Sequence, residues 1–192
     1  ANKPVVVNSD ATVSEVAIAS AVTGSDNNLN GGYAAESPFG DWDPTGSYFV
    51  VGSADGSNSS KPTIKVGTLS GTTFTFGSNT DLDSGASSGV FLCKNVGGDR
   101  FVFIWSNASN QINLRVGVYN SGSSSWTLGT TYSSNDVKEL VTSVDYDPTN
   151  KRIAFTGKES GNLYLCIQKV NTSNNTITDL DWGNVVTSSG AV

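Results

Sequence analysis

Apolar and polar residues follow one pattern along most of this chain, and the pattern recurs every 52 residues. Asp41-Trp42-Asp43-Pro44-Thr45 returns as Asp145-Tyr146-Asp147-Pro148-Thr149, a shift of 145 − 41 = 104 residues, or twice 52. At this spacing apolar side chains superpose in three sets: Phe49 with Phe101 and Ile153, Val51 with Phe103 and Phe155, and Phe76 with Leu128 and Leu180. A repeat of about 40 to 50 residues built from short strands is typical of β-propeller blades.

Within each unit, turn residues separate four apolar segments, which predicts a four-stranded antiparallel meander. The units span about 33–84, 85–136 and 137–188, and residues 1–32 form an N-terminal β arm outside the repeat. The predicted strands are 39–42, 48–53, 63–69 and 72–76, then 90–94, 100–105, 112–119 and 125–128, then 140–146, 152–156, 162–170 and 176–180. The predicted fold is therefore all-β, a β-propeller-like array of about three four-stranded blades.

The second strand of each unit is apolar on both faces, as in the run 101–105, Phe-Val-Phe-Ile-Trp. Such a strand indicates that sheets pack on both of its sides. Propellers close with 4 to 8 blades, so three units leave three possibilities. The chain is part of a longer protein, several chains complete a ring, or the array is open with capped ends. We expect a homo-oligomer.

Composition excludes several kinds of partner. The chain has 192 residues, a net charge of −6, and only 11 Lys and Arg residues, which are scattered singly. No basic surface for tracking phosphates is predicted, so nucleic acid is not an expected partner. No apolar run approaches the roughly 20 residues that cross a bilayer, so membrane insertion is not expected.

Histidine is absent and cysteine occurs twice, at Cys93 and Cys166. The sequence therefore holds no Ser-His-Asp or Cys-His pair, and a zinc site is not predicted. The two cysteines fall at unlike places in the repeat, Cys93 where other units have Asp41 and Asp145, so we expect two buried free thiols. No cofactor is expected.

Aspartates two residues apart are the remaining candidates for chemistry. Besides the pairs at 41/43 and 145/147, Thr-Asp-Leu-Asp occurs twice and supplies Asp81 with Asp83 and Asp179 with Asp181. On a strand such a pair faces one way and could chelate calcium or act as an acid and a base on a polysaccharide. The other interpretation is that these residues begin turns by accepting backbone hydrogen bonds. We favour the turns, and expect no enzyme.

Trp105 stands out among the aromatic residues because the other units carry Ser53 and Gly157 at its place. An exposed tryptophan could stack on a sugar ring, which makes Trp105 the ligand-binding candidate. The other interpretation, which we favour, is that it closes a blade interface or fills a gap.

The segments Asp145–Phe155 and Val66–Gly77, together with the opening Lys3–Asn8, resemble β-propeller-repeat structural proteins of tailed bacteriophages, of the tail-fibre, head-fibre and adhesin kinds. The resemblance implies a virion structural protein, either a fibre or a surface decoration of the capsid, located on the virion or outside the cell. Its arm would dock on other virion proteins and its blades would serve as scaffold or bind the host surface, including glycans. The alternative function is a carbohydrate-binding, lectin-like module completed by oligomerisation, and the third is a polysaccharide-active enzyme.

Overall fold

The structure is a computed structural model that describes residues 5–7, 13–15, 35–71, 73–134, 139–159 and 162–186. Over these ranges the chain is all-β: the only helical element is a 3₁₀ turn at Gly56–Asn58. The described residues contain no helix long and apolar enough to cross a membrane. Of the predicted N-terminal arm, the strands β1 (Val5–Val7) and β2 (Val13–Glu15) are described and pair with each other, and the rest lies outside the described residues.

Three antiparallel sheets follow, each a meander in which consecutive strands pair. Sheet I has the order β3-β4-β5-β6, sheet II β8-β9-β10-β11, and sheet III β13-β14-β15-β16. The strands of sheet I are β3 (Ala35–Trp42), β4 (Phe49–Asp55), β5 (Lys61–Ser70) and β6 (Thr73–Phe76). Those of sheet II are β8 (Ser87–Gly97), β9 (Arg100–Asn107), β10 (Ile112–Asn120) and β11 (Ser125–Leu128). Those of sheet III are β13 (Glu139–Asp147), β14 (Arg152–Glu159), β15 (Asn162–Asn171) and β16 (Thr176–Val186).

Two short strands were not predicted. β7 (Thr80–Asp81) pairs with β5, and β12 (Tyr132–Ser133) pairs with β10. Each follows the fourth strand of its sheet in the chain and adds a fifth strand to that sheet. Each has only two residues, too few to show a hydrophobic period. Both lie in the segment that leads from one sheet to the next.

The sheets pack face to face in chain order, with sheet II in the middle. We call the face toward the preceding sheet the leading face and the face toward the following sheet the trailing face. The leading face of β9 presents Phe101, Phe103 and Trp105 to sheet I, and its trailing face presents Val102 and Ile104 to sheet III. This explains why β9 is apolar on both sides.

Two cores result. The first core lies between sheets I and II and contains Tyr48, Val50, Ile64, Val66, Leu82, Phe91, Cys93, Phe101, Phe103 and Trp105. The second core lies between sheets II and III and contains Leu92, Val96, Val102, Ile104, Ile112, Leu114, Val116, Ile153, Phe155, Cys166, Val170 and Ile177. Both cysteines are free and buried, as predicted.

The strand pairing corrects one sequence alignment. Lys94, and not Cys93, pairs with Val102 as Asp41 pairs with Val50 and Asp145 with Ala154. The register of β8 shifts between Asn95 and Gly97, and a uniform 52-residue spacing does not allow for such a bulge. Cys93 therefore occupies a leading-face position in the first core.

Long side chains also connect the sheets. Arg115 on β10 donates from Nε to the carbonyl of Gly129, 2.7 Å away, and from Nη1 to the carbonyl of Leu82 in the segment that follows sheet I. Arg100 on β9 donates from Nε to Oδ1 of Asn175 in the β15–β16 turn at 3.0 Å. The guanidinium groups thus satisfy carbonyl and amide oxygens at both boundaries.

Candidate functional site

The first strands of the three sheets, β3, β8 and β13, bring one lysine between two carboxylates. Nζ of Lys94 lies 3.7 Å from Oδ2 of Asp41 and 3.4 Å from Oδ1 of Asp145, so it links β8 to both β3 and β13. Oδ2 of Asp41 also accepts the backbone N–H of Asn95 at 3.0 Å. The N–H of Tyr146 and the Lys94 ammonium lower the pKa of Asp145. These ion pairs connect the first strands of the three sheets, but the Asp145 side chain is 85% exposed, so its pair with Lys94 adds little to stability.

The second aspartate of each repeated pair closes a turn. Asp43 accepts the N–H of Thr45 at 2.9 Å, the Thr45 hydroxyl, and the N–H of Tyr48 at 2.7 Å. Burial by itself raises the pKa of Asp43, but these hydrogen bonds outweigh it and the pKa is lowered. Asp147 accepts the N–H groups of Thr149 and Asn150 and the Asn150 amide, and the last of these contributes most to its lowered pKa. The predicted turn chemistry is present at both places.

Of the calcium candidates, the described side chains Asp81 and Asp83 are not brought together as a ligand set. Asp81 accepts hydrogen bonds from Asn58, Lys61 and Thr63, whereas Asp83 accepts a local one from the N–H of Gly85 at 3.2 Å. The backbone of Asp179 and Asp181 lies in β16, opposite Gln168 and Ile167, and their side chains lie outside the described part of the structure. Within the described residues, no three acidic or cysteine side chains converge as metal ligands.

Trp105 is completely buried in the first core, with 0% of its surface exposed. Its indole therefore has no free face on which a sugar could stack, and the gap-filling interpretation applies. Trp105 lies on the leading face of β9, where sheet I covers it. The sequence could not show this, because the Ser and Gly of the other units reveal a difference in size and not in exposure.

A cleft of about 370 Å³ lies at one end of the sheets, between the β3–β4 turn and the turns of sheet II. Tyr48 forms its wall and donates its hydroxyl to Oδ1 of Asp99 at 2.8 Å. Burial, then the bonded Asp99 carboxylate, raise the pKa of Tyr48 strongly, so the phenol stays protonated at physiological pH. The cleft thus contains a fixed donor–acceptor pair, the Tyr48 hydroxyl and the Asp99 carboxylate.

A groove of about 350 Å³ runs between the outer strands of sheets I and II. Its aromatic lining is Phe76, Tyr119 and Trp126, and the last two are cross-strand partners with ring centroids 5.0 Å apart. Apart from Val66 and Gly77, the other lining residues carry hydroxyl groups: Thr68, Thr75, Ser78, Thr80 and Ser124. Sequence reasoning missed this groove. The available signal was the pair of aromatic residues flanking the Ser-rich hairpin 120–125.

Comparison with known proteins supports the fold. No protein family and no curated protein sequence matches the chain. Among solved structures, it is similar to Sqt1 of Saccharomyces cerevisiae, a β-propeller protein, with a TM-score of 0.55 and 15% sequence identity. The match covers 80% of this chain and 37% of Sqt1, so the chain spans just over a third of that protein's length. At this identity the likeness concerns the fold alone: an all-β, propeller-like arrangement of antiparallel sheets.

Proposed function

We propose that this chain is a non-catalytic structural component of a virion, a fibre or surface decoration. The observation that carries the structural role is the use of its carboxylates. Asp43 and Asp147 close turns with several hydrogen bonds each, and Asp41 and Asp145 share Lys94 across the sheets. The pKa values of Asp43, Asp145 and Asp147 are lowered, which moves these carboxylates away from the near-neutral pKa that suits a general acid or base.

We further propose that the three sheets are three blades of a propeller with a 52-residue unit. The pairing supports this, because Phe49 opposes Gly67 in sheet I as Phe101 opposes Gly117 in sheet II. In sheet III the same place is taken by Ile153, opposite Gln168. Each blade hides the leading face of the next, which is how repeat proteins bury a continuous core.

The virion assignment rests on the resemblance of the repeat and of the opening Lys3–Asn8 to structural proteins of tailed bacteriophages. In this proposal the residues 1–32 dock on other virion proteins, and the blades project from the particle or contact the host surface. An acidic surface with few Lys and Arg residues and a net charge of −6 suits a protein that must not adsorb to nucleic acid.

The test is to look for the chain in particles from its natural source. Particles purified by density gradient are analysed by quantitative mass spectrometry and labelled with gold-conjugated antibodies raised against the purified chain. We expect a fixed copy number per particle and label at one place, the tail or the head surface. A chain found in the soluble lysate and absent from the purified particles overturns the proposal.

A second candidate, glycan binding, is favoured by the groove between sheets I and II. Aromatic faces beside several hydroxyl groups are suited to a sugar, which offers C–H groups to a ring and hydroxyls to polar partners. Tyr119 and Trp126 are each half-buried, and Thr75 is exposed at the groove rim.

The experiment is a glycan array followed by calorimetry with any glycan retained. Thr75→Arg places a long side chain in the groove without removing core atoms, and we expect it to weaken binding at least tenfold. Thr149→Arg, at an exposed position in the β13–β14 turn, is the matched control. Equal affinity of both variants and the unaltered chain excludes the groove as the glycan site.

A further inference from the structure

The hydroxyl groups that line the groove between sheets I and II are not used by the fold. They belong to Thr68, Thr75, Ser78, Thr80 and Ser124, and among the described residues none of them has a hydrogen-bond partner. Hydroxyl groups away from the groove differ. That of Ser57 donates to Asp55 at 2.6 Å, and that of Ser87 donates to the carbonyl of Ser106 at 3.0 Å. The groove hydroxyls are therefore available to a ligand, each as a donor and as an acceptor.

The aromatic wall of the groove is held in place from behind. The Trp126 indole meets the rings of Phe103 and Phe101 edge to face, with centroids 5.4 and 6.0 Å apart. It also packs close to Gly117, where a methyl group would stand 3.1 Å from Cε3 of the indole. The ring is therefore oriented before a ligand binds, which lowers the entropic cost of binding. The C–H groups of a sugar can pack on a ring that is fixed in this way.

Charged side chains do not line the groove: all ten residues around it are uncharged. The described residues between 35 and 134 include five cationic side chains, those of Lys61, Lys65, Lys94, Arg100 and Arg115. Four of these bond carboxylate, amide or carbonyl oxygens elsewhere in the structure. The fifth, Lys65, pairs with Val51 on the leading face of sheet I, which is the side away from the groove. An anionic group in the groove would therefore lose water without gaining a counter-charge, which is costly.

We propose that the groove selects uncharged glycans and rejects those that carry carboxylate, sulfate or phosphate groups. The free hydroxyls bond the hydroxyls of the sugar, the Trp126 indole packs on its C–H groups, and the lack of a cation sets the selectivity. The volume of about 350 Å³ is at the low end for ligand sites, so the groove admits a short stretch of sugar units. This inference rests on the proposal that the groove binds a glycan.

A glycan array printed with matched pairs tests the selectivity. The two members of a pair have the same linkages and differ at C6 of one sugar, which carries a hydroxymethyl group in the neutral member and a carboxylate in the acidic member. Calorimetry with the full 192-residue chain then gives the two affinities. We expect the neutral member to bind at least tenfold more tightly, and Thr75→Arg to abolish its binding.

Two other results overturn the inference in distinguishable ways. An acidic member that binds as tightly as its neutral partner, and that Thr75→Arg releases, overturns the charge selectivity but leaves glycan binding in the groove. Retention of no glycan, or affinities that Thr75→Arg does not alter, overturns glycan binding in the groove itself. The particle analysis decides separately whether the chain belongs to a virion.

A first pair of variants tests the use of the free hydroxyls. Thr75→Val removes a hydroxyl with little change of shape, and we expect it to weaken binding of the neutral glycan about two- to tenfold, the worth of one hydrogen bond. Thr73→Val is the matched control, because Thr73 is exposed on the same strand and lies outside the groove. Equal affinity of the two variants would contradict a hydrogen bond from Thr75 to the sugar. Circular dichroism verifies that each variant is folded.

A second pair tests the role of charge. Ser78→Lys adds a cation to the groove, and Ser70→Lys adds the same charge at an exposed position outside it. We expect Ser78→Lys alone to shift the ratio of the two affinities at least tenfold toward the acidic member. The ratio is compared within one variant, so obstruction of the groove by the longer side chain affects both members. A ratio that Ser78→Lys does not shift overturns the assignment of selectivity to charge.

Discussion

The ring of Phe91 lies directly over the α-carbon of Gly52, so that a methyl group placed on Gly52 would stand 2.0 Å from Cε1 of the ring. Gly52 is on β4 of sheet I and Phe91 on β8 of sheet II. The completely buried phenyl ring occupies the space that a side chain on residue 52 would fill. The two sheets can therefore pack closely at this point. The same relationship explains why a residue without a side chain follows the apolar run Phe49–Val51 in β4.

Gly52→Ala is predicted to destabilise the protein by about 1–3 kcal/mol, because the added methyl forces the Phe91 ring or the sheet to move in a packed core. The measurement is urea unfolding followed by circular dichroism. Gly77→Ala is the control: a methyl group there would lie 3.5 Å from the nearest atom, an ordinary contact. Equal stability of the two variants would show that the sheets separate easily at this point.

Trp105→Ala is predicted to lower the free energy of unfolding by about 3–5 kcal/mol, since it removes a large, fully buried side chain and leaves a cavity. Trp42→Ala, which removes a 41% exposed indole, is predicted to cost much less. Both are measured by urea unfolding at a protein concentration low enough to keep the chain monomeric. A small effect of Trp105→Ala would contradict its position in the first core.

Asp43→Ala is predicted to destabilise the chain by about 1–3 kcal/mol at pH 7, because it leaves the N–H groups of Thr45 and Tyr48 without their acceptor. The pKa of Asp43 is lowered in the folded protein, so its charged form is stabilised relative to the unfolded chain. The contribution is therefore complete above the ordinary pKa of 3.8 and disappears as the pH falls through the lowered value.

Unfolding measured at a series of pH values tests this sign. The difference between the unaltered chain and Asp43→Ala should shrink as the pH falls below about 4. Asp43→Asn keeps one side-chain oxygen as acceptor but cannot ionise, so its smaller loss should vary less with pH. A difference that grows on acidification would contradict the assigned hydrogen bonds.

Neither cysteine is expected to react with a water-soluble disulfide reagent in the native protein. Cys93 and Cys166 are both fully buried, and burial, with the nearby Asp41 carboxylate, raises the pKa of the Cys93 thiol well above its usual range. The reactive thiolate is therefore both inaccessible and disfavoured. In denaturant two thiols per chain should react at once. Rapid reaction of the native chain would show that a core opens readily.

Most strands could be predicted from the sequence because each sheet is a local meander. The predicted second strands at 48–53, 100–105 and 152–156 correspond to β4, β9 and β14, each within a few residues. Their alternation and the flanking turn residues are properties of neighbouring positions. The two-residue strands β7 and β12 could not be found in the same way, since their pairing depends on the chain leaving one sheet for the next.

The candidate site was harder to predict because it depends on which face is covered. The 52-residue spacing aligned Cys93 with Asp41. The register shift between Asn95 and Gly97 instead makes Lys94 the residue equivalent to Asp41, and Lys94 lies between Asp41 and Asp145. An exposed Trp105 was one of the two interpretations of the sequence, and sheet I buries this side chain completely. Tyr119 and Trp126 lie on either side of a hairpin in the sequence. The groove that they line forms only where sheet I provides the opposite wall, which the sequence does not show.

The order in which the sheets cover one another bears on how such a chain can lengthen. Each sheet meets its neighbours through one kind of contact, a trailing face on a leading face. Duplication of a gene segment that encodes one whole sheet would insert a layer with an apolar leading face and an apolar trailing face, the two kinds of face that its neighbours already present. Such an array could therefore change size during evolution in steps of one sheet, through repacking of the side chains at the new contact.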